Sequence, residues 1–164
     1  AMISMQPDNY SARRPNSASI GTRAYQMALF VVFESGLQML ADNPTLYYNN
    51  DDCIRFISSV PVLWDDTKVL DAKLGEHLVV AKRNGEKWFL GGMTAERKEP
   101  LEIDAVLDFL PEGKVFRLTS FEDGINADRQ AMHYVKNVRE VRKGDTVKIR
   151  MVRNGGYAAS LEAL

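Results

Sequence analysis

Two clusters of acidic side chains are the residues of this sequence best suited to chemistry. Asp65 and Asp66 follow a tryptophan, and Asp123 and Asp128 flank residues 124–127. A pair of carboxyl groups can act as acid and base on a glycosidic bond. The second cluster could also bind calcium, but it lacks the twelve-residue helix-loop-helix spacing and supplies too few oxygens. We therefore predict an Asx-type loop between strands, whose side chains accept hydrogen bonds from backbone amides.

The single cysteine and the two histidines lack the companion residues that define a nucleophilic or metal site. Cys53 lies on the apolar face of a predicted short helix, and a nucleophilic role would need His77 or His133 nearby. Each histidine lies in or beside a predicted strand, where a structural role is expected. The sequence contains no phosphate-binding glycine loop, HExxH, paired CxxC or Gly-x-Ser-x-Gly motif. No catalytic or metal-binding residue is therefore predicted in this chain.

Aromatic side chains could bind a sugar ring by stacking on it. Trp64 and Trp88 lie among apolar neighbours, which favours a place in the core for both. A free-standing carbohydrate-binding module would need exposed aromatics, for which Tyr47, Tyr48, Trp88 and Tyr157 are the candidates. Burial of all four would exclude that alternative.

The composition argues against some classes of partner. The 164 residues carry 21 basic and 22 acidic side chains, for a net charge of −1, so no overall field attracts nucleic acid or anionic lipid. With 45% hydrophobic residues, the chain suits one compact domain or a small domain with an appendage. It begins at Ala1 without a visible targeting segment, which suggests a piece of a longer protein or a trimmed chain.

The run from residue 21 to residue 42 predicts a long helix that is apolar on most of its surface. Thr22 is placed to cap the first turn. Apolar or small residues recur at the spacing of a buried helix face: Ala24, Met27, Ala28, Val31, Val32, Ser35 and Met39. Others widen that face: Leu29, Phe30, Phe33, Leu37 and Leu40. We expect the face around Met27, Val31 and Leu40 to be exposed or buried against another chain.

A membrane span is not expected from this run. Arg23, Gln26, Glu34 and Gln38 interrupt it. Its unbroken apolar part, residues 27–33, is far shorter than the roughly 20 residues that a bilayer core requires. We therefore predict a core helix.

Helices dominate the first part of the chain and strands dominate the rest. Residues 1–20 predict a short extended piece and an irregular loop, because two prolines and several Asn and Ser residues disfavour regular structure. Residues 43–45 end the first helix, and residues 49–52 begin a second one that runs to about Ser59 and stops at Pro61.

From Thr67 onward, short apolar runs alternate with turn residues. Predicted strands cover residues 78–83, 87–93, 100–105, 114–121, 134–142, 146–152 and 157–161. Asn84 and Gly85 are the strongest hairpin signal, because both residues tolerate positive φ. Seven or eight antiparallel strands in about 95 residues indicate a two-sheet sandwich.

Several of these motifs resemble, in order, the C-terminal portion of glycoside hydrolase family 97, a family of α-glucosidases and α-galactosidases. The resemblance rests on residues 21–24, 31–35, 37–44, 60–61, 64–71, 91–94 and 123–129. It implies an α+β chain in which the last helices of a (β/α)8 barrel precede an antiparallel β-sandwich. Residues 1–66 would be the end of the catalytic barrel, with 6–20 a loop on its catalytic face, and residues 67–164 the sandwich. The apolar helix would then pack on barrel strands that are absent here.

The resemblance also implies a function for the whole enzyme, the hydrolysis of an α-linked glucoside or galactoside by two carboxyl groups. In this family those carboxylates lie upstream, as do the calcium-binding glutamates of its calcium-dependent branch. Asp65, Asp66 and Asp123 match family motif positions that we interpret as structural. The family habit of export implies a periplasmic or secreted enzyme.

Three hypotheses follow from these observations. The first is an inactive C-terminal fragment of a family 97 glycosidase, which braces the barrel or mediates contacts between subunits in a homo-oligomer. The second is a carbohydrate-binding module. The third is an autonomous interaction protein that docks through its apolar helix, and a folded monomer in solution would argue against it.

Overall fold

The computed structural model describes residues 2–12 and 18–164; Ala1 and residues 13–17, part of the predicted N-terminal loop, lie outside the described residues. Two short strands, β1 (Ser4–Met5) and β2 (Ser19–Ile20), pair in parallel, and a 3-10 turn (Pro7–Asn9) follows β1. Three helices come next: α1 (Arg23–Val32), α2 (Pro44–Tyr48) and α3 (Asp51–Ser59). The remaining strands are β3 (Asp66–Lys73), β4 (His77–Asn84), β5 (Lys87–Thr94), β6 (Leu101–Val106), β7 (Phe116–Asp123), β8 (Tyr134–Val141), β9 (Thr146–Met151) and β10 (Gly156–Ala163).

Strands β3 to β10 form a sandwich of two antiparallel sheets. The larger sheet has the order β3-β4-β5-β10-β7-β8, and the smaller sheet pairs β6 with β9. The predicted sandwich is therefore confirmed. The β4–β5 hairpin differs in one detail: Asn84 pairs with Lys87, so the loop is Gly85–Glu86, and of the two loop residues only Gly85 has a positive φ, of 58°. Glycine is needed one position later than the Asn-Gly pattern suggests.

The core of the sandwich lies between the two sheets. Inward side chains of β6 and β9 meet those of the larger sheet because successive residues of a strand point to opposite faces. The buried members are Val79, Ala81, Trp88, Leu90, Ile103, Ala105, Leu107, Leu110, Phe116, Leu118, Val141, Val147, Ile149, Met151, Tyr157, Ala159 and Leu161. On the outer face of the small sheet, Glu102 lies opposite Arg150 and Asp104 opposite Lys148. These opposite charges suit a solvent-facing ladder.

A layer of helices covers the other face of the larger sheet. Residues Met27, Ala28 and Val31 of α1 are fully buried in a second core with Phe56, Phe89, Phe121 and Ala158. A Cβ on Gly91 of β5 would lie 2.9 Å from a methyl of Val32, so the helix sits directly on the strand. The expectation that Met27 and Val31 would be exposed or covered by another chain is therefore wrong. Leu40, which is 45% exposed, is the one residue of that predicted face left open.

The described residues thus form a mostly antiparallel β-sandwich with few helices. The predicted barrel helices are not part of it, because α1 packs on β10 and β5 of the same chain rather than on absent barrel strands. No helix in residues 2–12 and 18–164 is long and apolar enough to cross a membrane.

Helix α1 is ten residues long, half the length predicted. It begins as expected, with the Thr22 hydroxyl accepting a hydrogen bond from the Tyr25 amide at 3.0 Å. It ends at Val32, and the chain continues in irregular structure past Ser35 and Gly36. Both residues disfavour helix interiors, and the apolar residues beyond them mislead a periodicity argument.

A buried lysine in β4 satisfies the end of α1. Lys82 is 2% exposed, and its ammonium donates hydrogen bonds to the Val32 carbonyl at 3.0 Å and to the Glu34 carboxylate at 3.1 Å. It also lies 5.4 Å from the centre of the Trp64 ring. A cation is favourable at a helix C-terminus, where the last carbonyls lack partners within the helix. This contact joins the helical layer to the sheet.

The segment after α1 contains one helix that the sequence pattern does not predict. Asn43 was expected to end a helix, but its side chain caps the start of α2 by accepting from the Leu46 amide at 3.1 Å, with Pro44 in the first turn. Proline is favourable at that position because its missing N–H would have no partner within the helix. The second predicted helix is observed as α3, which ends before Pro61.

Candidate functional site

The two acidic clusters lie at opposite ends of the larger sheet. The Asp65 carboxylate accepts a hydrogen bond from the Gly85 amide at 2.7 Å, next to the start of β5. The Asp123 carboxylate accepts from the Gly156 amide at 3.1 Å, and Gly156 pairs with Met93 near the end of β5. Six residues of extended strand separate the two ends by roughly 20 Å. Carboxyl pairs that cleave glycosidic bonds lie about 5–9.5 Å apart, so these clusters cannot form one.

Asp123 is a buried carboxylate that joins two strand ends. It accepts hydrogen bonds from the Val152 amide at 2.9 Å and from the Gly156 amide, and a Cβ on Gly155 would lie 2.1 Å from its Oδ2 atom. Burial raises the pKa of Asp123 to about 7, against the opposing effects of the Thr22 hydroxyl and the two amides. The amides belong to the β9–β10 turn, so the contact is long-range rather than the local Asx loop predicted.

Substituting Asp123 by Asn should remove a pH dependence of stability. Because the pKa is raised in the folded chain, the stability linked to this group is present at low pH and is lost as the pH rises towards about 7. We expect wild-type urea midpoints to fall between pH 5 and pH 8 by the equivalent of a few kcal/mol, and those of D123N to change much less. Parallel curves for the two proteins would contradict this.

The other predicted acidic residues are partly exposed. The Asp128 carboxylate lies 3.7 Å from the Arg129 guanidinium, and that of Asp66 lies 3.2 Å from the Lys68 ammonium. Among the described residues, no group of three or more His, Cys, Asp or Glu side chains could hold a metal ion.

Cys53 is buried in the helical layer beside Tyr134 and Asp52. Burial raises the pKa of its thiol to about 11, which keeps it protonated and a poor nucleophile at neutral pH. The Tyr134 hydroxyl donates to the Asp52 carboxylate at 3.0 Å. The two histidines lie elsewhere: His77 Nε2 is 3.1 Å from the Asp71 carboxylate at the start of β4. His133 precedes β8, where its carbonyl accepts from the Gly124 amide.

Three of the four aromatic candidates for sugar stacking are buried. Tyr47 is 6% exposed, Trp88 4% and Tyr157 0%, whereas Tyr48 is 81% exposed. Trp88 packs on Phe109 with ring centres 4.6 Å apart. A single exposed ring offers little platform for a carbohydrate.

Two open grooves lie outside these clusters. One, of 660 Å³, is lined by Tyr25, Leu74, His77 and Met93 among others, beside the β3–β4 turn. The other, of 690 Å³, contains several arginines. Of these, Arg153 is paired with Asp8 at 2.5 Å and with Glu96 at 3.6 Å. Charge in the second groove is therefore largely compensated within the chain.

The most distinctive surface of the molecule is apolar and lies on the outside of the helical layer. We define the apolar surface as Phe33, Leu37, Met39, Leu40 and Tyr48, which are 56%, 75%, 77%, 45% and 81% exposed. Two shallow grooves, of 270 and 370 Å³, open between these side chains. Exposed apolar clusters of this kind are typical of interaction sites. The break in helix at Ser35 and Gly36 is the signal from which this surface could have been expected.

The start of the chain lies beside the apolar surface. Met2 is fully buried in the helical layer, and its amide donates to the Asp42 carboxylate, which lines the second groove. The Arg23 guanidinium holds the Met2 carbonyl through two hydrogen bonds, of 2.8 and 3.1 Å. Any polypeptide that precedes Met2 therefore reaches the described residues next to these exposed side chains.

Comparison with known sequences identifies the sandwich. Residues 63–162 match the family described as "Glycosyl-hydrolase 97 C-terminal, oligomerisation". The chain belongs to glycoside hydrolase family 97. A retaining α-galactosidase of Bacteroides thetaiotaomicron is 36% identical over 162 residues, 99% of this chain and 24% of that protein. A probable retaining α-galactosidase of Streptomyces bingchenggensis is 32% identical over 154 residues, 90% of this chain and 21% of that protein.

Solved structures of the same family share the fold. A family 97 enzyme from Pseudoalteromonas sp. strain K8, in complex with panose, has a TM-score of 0.80 and 35% identity over 88% of this chain and 23% of that one. A β-arabinopyranosidase has a TM-score of 0.73 and 25% identity over 93% of this chain and 23% of that one. The predicted resemblance to the C-terminal portion of family 97 is confirmed. The chain spans about a quarter of the length of the curated relatives it matches.

Proposed function

We propose that this chain is the C-terminal part of an α-glycosidase that hydrolyses α-linked galactosides or glucosides. The similarity to two proteins named as retaining α-galactosidases supports the galactoside first. In such a reaction one carboxylic acid protonates the leaving oxygen, and a second carboxylate acts on the sugar carbon. The roughly 20 Å between the two acidic clusters favours carboxylates supplied by the upstream catalytic barrel, together with any calcium ion. We also propose that the whole enzyme is periplasmic or secreted.

In this proposal the chain braces the barrel, with residues 1–66 forming the junction and residues 67–164 the sandwich. The observation that carries it is the apolar surface beside the start of the chain. Met39 and Leu40 are exposed there, although residues of their type are usually buried. The upstream polypeptide must arrive at this point, because Met2 is fixed next to Asp42. The barrel is thus the nearest part of the same protein that could cover these side chains.

A substitution pair tests the bracing role. The double variant M39D/L40D should lower the thermal midpoint of the full-length enzyme by several degrees, because charged side chains cannot be buried against the barrel without cost. The 164-residue chain alone should be little affected, since both side chains are exposed in it. The control is L74D, at the fully exposed tip of the β3–β4 turn. Equal effects of both variants on the full-length enzyme would contradict the proposal.

An activity assay tests the catalytic part of the proposal. Full-length enzyme should release the aryl group from an aryl α-galactoside or an aryl α-glucoside, and the 164-residue chain should release none. Hydrolysis by the short chain would mean that its own carboxylates are catalytic. Inactivity of the full-length protein on both substrates would overturn the assigned substrate class.

The sandwich is further proposed to mediate oligomerisation. The description of the matched family supports this role, and the match covers the sandwich rather than the helices. The role predicts that full-length enzyme sediments as a dimer or larger species.

A further inference from the structure

Strand β8 is an exposed edge of the larger sheet. It pairs with β7 over eight residues without a register shift, and in the part of the chain that the structure describes no strand lies on its other side. Residues 135–140 are all exposed, with Val135 at 42% and Val138 at 59%. The opposite edge, β3, is interrupted by a bulge between Val69 and Asp71.

The two edges therefore differ in how readily they can accept another strand. A continuous exposed edge presents unpaired N–H and C=O groups and is a template for pairing, whereas a bulge disrupts the template. The matched family is described by oligomerisation, which makes a second copy of this chain the occupant to consider. This inference rests on the oligomerisation role proposed above and specifies its surface.

Symmetry restricts how two copies of β8 can pair. A dimer with twofold symmetry uses the same surface on both copies, and the strand must then run antiparallel to itself. Residues directly opposite each other in an antiparallel pair share one face of the sheet. Because successive residues alternate faces, the twofold axis must pass through a residue and not between two residues.

The charge pattern selects one of the remaining registers. An axis at Val138 places Lys136 of each copy opposite Glu140 of the other, with Val138 facing its own copy and Asn137 facing Arg139. Axes at Lys136, Arg139 or Glu140 place like charges directly opposite, which is destabilising. An axis at Asn137 leaves Lys136 opposite an apolar valine.

The two charged side chains are available for this pairing. No ion-pair partner of Lys136 or Glu140 lies within 4.0 Å among residues 2–12 and 18–164. Lys136 lies 5.5 Å from the centre of the Phe121 ring, on the face of the sheet that carries the helices. Val138 and Glu140 share that face because they follow at intervals of two residues.

We propose that two copies of this chain associate edge to edge through β8, with Val138 on the twofold axis and Lys136 of each copy paired with Glu140 of the other. The two larger sheets then form one continuous twelve-stranded sheet across the dimer, twice the six strands of each copy. Apolar contact at the axis and two ion pairs beside it specify the register.

Charge reversal in the full-length enzyme tests the pairing. K136E and E140K should each weaken the dimer at least tenfold by sedimentation, because each places two like-charged pairs in the interface. An equimolar mixture of K136E and E140K should restore association, since only the mixed dimer has two opposite-charge pairs. The double variant K136E/E140K should also dimerise. The matched control is K68E on the β3 edge, which should leave association unchanged.

Cross-linking tests the register independently. Opposite residues of an antiparallel pair have Cα atoms about 4.5–5.5 Å apart, within the range of a disulfide. V138C should therefore form a disulfide-linked dimer under mild oxidation, while V69C on the β3 edge should not. The native Cys53 is buried and should not contribute.

The outcomes separate this inference from the role on which it rests. A full-length enzyme that is monomeric at every concentration would overturn both. An oligomer that responds to neither charge reversal nor V138C oxidation would overturn the β8 interface and leave the oligomerisation role standing. Cross-linking of V69C instead of V138C would assign the interface to the other edge.

Discussion

Replacing Gly156 with alanine is expected to lower the free energy of unfolding of the 164-residue chain by about 3 kcal/mol or more. An alanine Cβ at this position would lie 2.3 Å from the Tyr25 Cα and 2.5 Å from the Tyr25 amide nitrogen. Both are backbone atoms of α1, so no side-chain rotation relieves the clash. The helix would have to move off β10, and the core between the helical layer and the larger sheet would open.

Denaturation in urea measures this effect, and a second glycine provides the control. No atom lies within 4 Å of a Cβ built on Gly36, which is in the exposed segment after α1. G36A should therefore change stability by no more than about 0.5 kcal/mol. A similar small change for G156A would mean that α1 is not seated on β10 as described.

Truncation of Phe56 to alanine is expected to cost about 3–5 kcal/mol. Phe56 is 5% exposed and joins α3 to the sheet, with its ring centre 6.5 Å from that of Phe89 and 5.3 Å from that of Phe121. Its removal leaves a cavity between the layers in addition to the lost transfer free energy. Amide hydrogen exchange should accelerate in α1 and α3 more than in β6 and β9, because those strands belong to the other core.

The control for this truncation is another phenylalanine of the same layer. Phe33 is 56% exposed, so F33A should cost much less in the isolated chain. In the full-length enzyme F33A should become more costly if the apolar surface is covered by the barrel. Equal losses for F56A and F33A in the isolated chain would contradict the description of the helical layer.

Family membership and the general architecture could be predicted from local patterns. Alternating apolar residues and turn residues locate the eight strands to within a few residues, since each strand has one face towards a core and turns require particular backbone conformations. The Thr22 cap is predictable for the same reason, because a capping side chain acts on an amide three residues away. The structural interpretation of Asp65, Asp66, Asp123 and Asp128 began from motif spacing alone and stays a prediction.

Tertiary structure alone decided what covers each apolar residue. The sequence shows that α1 is apolar, but Met27 and Leu40 carry the same signal although one is fully buried and the other 45% exposed. The difference arises because α1 ends at Val32 and its buried face meets β10, contacts that join residues far apart in the chain. Periodicity reports only which residues prefer to leave water, and not which partner removes them.

The same limit applies to the sites of long-range polar contact. Lys82 reads as an ordinary strand lysine, and its role at the end of α1 depends on a residue fifty positions earlier. Asp123 likewise appears to belong to a local loop, yet it binds amides of the β9–β10 turn. The sequence by itself determined the elements, their caps and the family, because these depend on neighbouring residues. The packing of the layers, the exposed apolar surface and the open β8 edge depend on strand order, which only the folded chain establishes.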